Sequence, residues 1–189
     1  MRPSKLGSNP FLLVVSIAAA GLACQIRVGG PEPPAEIIPA SEASATELAD
    51  NWDSALSLDT DEVTLVISER QLTSFLSERF ESDEEPILRH PQVFLRDGEI
   101  RIYGTASAGV FEAGALLSIQ PKISSDGDVE FDITTAEFGP VPAPSAMTSV
   151  LSELLTEALT GTLGSMATGI RITSFVIADG QIAIVGSPR

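Results

Sequence analysis

The sequence predicts an α+β fold in which a strongly curved antiparallel sheet, built from hairpins, wraps over one long apolar helix. Three observations carry this expectation. Asp-Gly pairs at 97–98, 126–127 and 179–180 each punctuate alternating apolar and polar residues, as hairpin turns do. The stretch "VTLVISERQLTSFLSERF" switches from a period of two to helical spacing in its middle. A broad apolar stripe from Met147 to Leu163 supplies the cover that a one-faced sheet needs.

The chain opens with a segment that is not part of this fold. Arg2 and Lys5 precede an apolar run from Phe11 to Ala23 that ends in small residues, the build of a secretory signal. The run is shorter than the ~20 residues a bilayer span requires. Ala20, Gly21, Leu22, Ala23 and Cys24 resemble the lipobox of bacterial lipoproteins, in which the cysteine is acylated and becomes the first mature residue. Gly21 stands where that family usually has Leu, Val or Ile. The alternative is ordinary cleavage, or a retained anchor, with Cys24 incidental. Residues 1–23 are thus read as a signal peptide and Cys24 as the lipidation site.

Residues 24–40 read as a Pro-rich tether, since Gly29, Gly30, Pro31, Pro33, Pro34 and Pro39 suit neither helix nor ladder. The single domain then covers 41–189, with its core at about 60–187. A helix is expected from Ser41 to Leu56, where Leu48, Trp52 and Leu56 recur on one face and Trp52 packs. Val63, Leu65 and Ile67 alternate as a strand. Ser68 and Gln71 form a capping box, with Ile67 and Leu72 at the staple positions, so a helix starts at Ser68.

The hairpin registers follow from the turns. A two-residue turn at Asp97-Gly98 sets Leu95 opposite Ile100, Val93 opposite Ile102, and Arg96 to pair with Glu99. The same geometry in "FVIADGQIAIVG" sets Ile177 against Ile182 and Phe175 against Ile184. In the middle hairpin a two-residue loop would place Ile123 against Glu130. A three-residue loop, Ser125-Asp126-Gly127, instead pairs Ile123 with Val129 and Ile119 with Ile133. Pro140, Pro142 and Pro144 then stop the strand, and a helix is expected from Ser145 to Met166.

Composition excludes several functions. A pI near 4.2, a formal charge of −15, and no Lys or Arg between Lys122 and Arg171 argue against nucleic acid. They also argue against docking of the surface on anionic lipid headgroups, which want basic faces. One cysteine and one histidine cannot build a Cys/His metal site. Asp126, Asp128, Glu130 and Asp132 alternate as the solvated face of a strand does, opposite Val129, Phe131 and Ile133. His90, before Pro91, reads as a surface or strand-end residue, and no nucleophile elbow accompanies it. No enzymatic activity, cofactor or metal is expected.

The combination of "ISERQLTSFL", "PQVFLRDGEIRIYG", a Pro-rich passage into a Leu-rich helix, and "DGQIAIVG" resembles a group of uncharacterised bacterial exported lipoproteins. These in turn resemble the tubular lipid-binding (TULIP-like) superfamily. That resemblance implies a bent sheet around a long helix with lipid in the apolar groove between them. The groove candidates are Leu151, Leu154, Leu155 and Leu159 on the helix and Val93, Leu95, Ile100 and Ile102 on the strands. The expected function is a membrane-tethered extracytoplasmic binding protein for a lipid or other apolar ligand, on the outer face of a bacterial membrane. The alternative is a structural or protein-interaction lipoprotein with a closed core.

Overall fold

The computed structural model describes residues 26–57, 60–81, 86, 88–108, 111–123, 129–142, 170–178 and 180–188. Along them run β1 (Ile26–Arg27), α1 (Glu42–Ser57), β2 (Val63–Ser68), α2 (Glu69–Glu81), β3 (Leu88–Arg96) and β4 (Glu99–Ala108). These are followed by β5 (Phe111–Ile123), β6 (Val129–Phe138), β7 (Val141–Pro142), β8 (Ile170–Ala178) and β9 (Gln181–Pro188). The expected helix from Ser145 to Met166 lies outside the described residues.

Ser68 turns strand into helix by the expected chemistry. Its N–H donates to Gln71 Oε1 at 2.9 Å, and the Gln71 N–H donates to Ser68 Oγ at 3.3 Å. Two helix-terminal donors are thereby satisfied, while Ile67 and Leu72 are both buried across the junction. Val63 and Leu65 face the same interior as Leu76 and Phe80. Trp52 of α1 is buried there too, as its place on the Leu48 stripe predicts.

Pairing follows the predicted registers. Leu95 opposes Ile100 and Val93 opposes Ile102 between β3 and β4. Ile177 opposes Ile182 and Phe175 opposes Ile184 between β8 and β9. Between β5 and β6, Ile119 opposes Ile133 and Ile123 opposes Val129, while the turn joining them lies outside the described residues. One pairing expectation needs correction. Arg96 and Glu99 are register partners, yet their side chains part: Arg96 binds Glu69 of α2, and Glu99 accepts from Arg101 at 3.2 Å.

The expected single, strongly curved sheet is also corrected. The strands form two sheets, one ordered β3-β4-β5-β6-β7 with β1 beside β5, the other ordered β2-β9-β8, and neither is strongly curled. The reason is that β2 finds its ladder on β9, at the far end of the chain, instead of joining the neighbouring hairpin. The helices pack on each other and on β2 and β3, and β8 lies against β3 and β5, so both sheets share one core.

The edge of the first sheet is closed by α2. Thr73 Oγ1 accepts the Val93 N–H at 3.0 Å and Glu69 Oε1 accepts the Leu95 N–H at 2.7 Å. The Gly180 N–H, from the β8–β9 turn, donates to Leu95 O at 3.2 Å. Side chains and a turn therefore take the place of a missing strand, which blunts an edge that would otherwise template association.

Candidate functional site

The residues expected to form the site divide in two. Cys24 and Leu151, Leu154, Leu155 and Leu159 lie outside the described residues. Val93, Leu95, Ile100 and Ile102 lie together on one face of β3 and β4, at 0%, 0%, 4% and 2% exposure, within the shared core. At that burial their surface is already covered by protein. A cavity lined by Trp52, Val63, Leu65, Ile172 and Ile184 measures about 10 Å³. That is room for roughly one water and far too small for an acyl chain. Trp52 Nε1, which is buried, has no hydrogen-bond partner among the described residues.

Apolar surface is less completely covered elsewhere. Phe131, Ile133 and Phe138 of β6 and Phe175 and Ile177 of β8 pack against the core but stay partly exposed.

Among the described residues, open space lies on either side of the segment expected as a tether. Residues from Ile26 to Ser41 form no helix and a strand only at Ile26–Arg27, with a bend at 35–36, and they lie against the sheet and helices. β1 runs parallel to β5, with Ile26 beside Phe111 and Arg27 beside Glu112. The Val28 N–H donates to Glu112 O at 2.9 Å and the Gly114 N–H donates to Gly29 O at 2.9 Å. Glycine permits this approach: a Cβ on Gly114 would sit 2.4 Å from Pro31 O. Further along, Ile38 is buried, its N–H donating to Gln92 Oε1 at 2.8 Å while Gln92 Nε2 donates back to Ile38 O at 3.2 Å. The Ser41 N–H then donates to Ser74 Oγ at 3.1 Å. This docked segment is hereafter the strap.

Two grooves flank the strap. One, of about 600 Å³, lies between Glu36 and Ile37 of the strap, Glu47 of α1, Val66 of β2 and Arg70 of α2. The other, of about 400 Å³, is lined by Arg27, Glu32, His90, Gln92 and Thr105 over a floor of glycines. His90 is exposed, at φ +51° beside a β-bulge between Arg89 and Gln92. Below the strap, the Glu112 carboxylate, mostly buried, meets Arg89 at 3.2 Å and Arg27 at 3.8 Å.

Sequence reasoning did not find the strap contacts or the Glu112 cluster. The available signal was the placing of Gly29, Gly30, Gly114 and Gly139, which marks where backbones meet without side chains. Among the described residues no group of His, Cys, Asp or Glu could hold a metal ion. Asp132 is instead held by Lys122 across the strand pair. Among the described residues no helix is long and apolar enough to cross a membrane. Compared with known proteins, the chain matches no family model and no curated protein.

Proposed function

We propose that this is a lipid-anchored extracytoplasmic protein whose domain acts through its outer surface, as a structural or protein-interaction module with a closed core. The observation that carries the reading is the burial of Val93, Leu95, Ile100 and Ile102 at 4% exposure or less. A ligand groove would leave at least one such position open. The anchor rests on the signal-like run to Ala23 and on Cys24 after it. Replacing Cys24 by Ser is expected to release the protein from membranes or leave an uncleaved precursor. Unchanged processing and unchanged membrane partition would contradict the anchor.

A second reading is the one the tubular lipid-binding resemblance implies, an apolar ligand held between sheet and Leu-rich segment. The partly exposed Phe131, Ile133, Phe138, Phe175 and Ile177 favour it. Titration with an apolar fluorescent probe separates the two, with Leu151, Leu154, Leu155 and Leu159 each cut to alanine. A closed core predicts no saturable probe binding and losses of ~2–5 kcal/mol at the packed leucines. Saturable binding, altered by a truncation costing under ~1 kcal/mol, gives the second reading.

A further inference from the structure

We propose that the end of the first sheet carrying β1, Val28 and Phe111 is a membrane-docking face, held against lipid headgroups by the acyl chains on Cys24. This rests on the lipid-anchor reading and adds an orientation to it. A free tether of residues 24–40 would let the domain swing. The strap allows no such freedom, because the chain is already paired to β5 at Ile26 and Arg27.

Cys24 precedes Ile26 by two residues, a reach of about 7 Å at full extension. That distance is about the thickness of one headgroup layer, taking half the difference between the bilayer's full width and its hydrocarbon core. Whatever surrounds β1 must therefore sit at the lipid surface. Two large apolar side chains are exposed there, Phe111 at 46% and Val28 at 44%. They point the same way: Phe111 is level with Ile26 in the ladder, and Val28 follows Ile26 by two residues. Arg27 projects from the other side of β1 with its side chain 79% exposed. Arg27 and Arg89 share the Glu112 carboxylate and Glu32 lines the same groove, so the arginines offset the acids at this end of a chain of formal charge −15. Apolar side chains for the acyl boundary and arginines for the phosphates are the pairing that an interfacial contact uses.

The test uses the mature acylated protein in vesicles of phosphatidylglycerol and phosphatidylcholine with brominated acyl chains. Phe111→Trp is compared with Ile123→Trp, at the opposite end of β5 and about 40 Å away at the rise of an extended strand. Trp52, buried, is common to both. The Phe111→Trp emission is expected to shift to the blue and to be quenched several-fold more than that of Ile123→Trp. Val28→Trp, expected to behave like Phe111→Trp, serves if the first variant folds poorly. Equal quenching at the two ends, or none at either in protein that sediments with the vesicles, overturns the docking face and leaves the anchor standing. Protein that does not sediment at all overturns the anchor, and the docking face with it.

Discussion

Glu69 binds Leu95 across two layers of the fold: its carboxylate accepts the Leu95 N–H at 2.7 Å. The same carboxylate holds the Arg96 guanidinium, and the Glu69 N–H donates to Gly180 O at 3.1 Å. One residue in the first turn of α2 thus ties the edge of the first sheet to the last turn of the second. Its negative charge also suits a helix N-terminus.

Replacing Glu69 by Ala strands the Leu95 N–H and is expected to cost about 1–3 kcal/mol, the usual penalty for an orphaned buried donor. Glu69→Gln keeps an acceptor and loses the ion pair, so it should cost clearly less. Urea midpoints compare them. Equal losses would mean that the Arg96 contact, and not the Leu95 amide, is what Glu69 supplies.

Thr73 offers a cleaner version of the same test, since it is fully buried and its Oγ1 accepts the Val93 N–H. Thr73→Val keeps the shape and removes the acceptor. A loss of about 1–3 kcal/mol is expected, against a smaller loss for Thr73→Ser, which retains the hydroxyl. A Val variant as stable as the parent would show that α2 does not satisfy the sheet edge.

The strap should open independently of the core. A methyl group at Gly114 would meet Pro31 O at 2.4 Å, so Gly114→Ala must push the strap away. Amide exchange over residues 26–40 is expected to speed up, with protection at Val93 and Leu95 little changed. Retained protection in the strap would contradict its docking through Gly30 and Gly114.

The sequence made the hairpins legible because each register depends on neighbours: a turn residue, then alternation on both sides. Val93 with Ile102 and Ile119 with Ile133 could be assigned for that reason, and Ser68 with Gln71 likewise. What could not be read depends on distance along the chain. Alternation shows that Leu65 has a buried face but does not show that its partner is Ile184. Glu69 and Thr73 look like ordinary polar residues of a half-solvated helix until β3 is beside them. The strap was hidden for a different reason, since contacts among Gly30, Gly114 and Gly139 involve no side chain to carry a pattern. Of the site candidates, the strand residues lie on one face as grouped, and their exposure of 4% or less depends on what packs over them, which alternation alone does not show.

Native mass spectrometry of the mature protein, extracted gently from its membrane, tests the central claim most directly. A closed-core lipoprotein predicts one species whose first residue is acylated Cys24 and which carries no additional bound lipid. An unmodified N-terminus, or a stoichiometric lipid retained without covalent attachment, would contradict it.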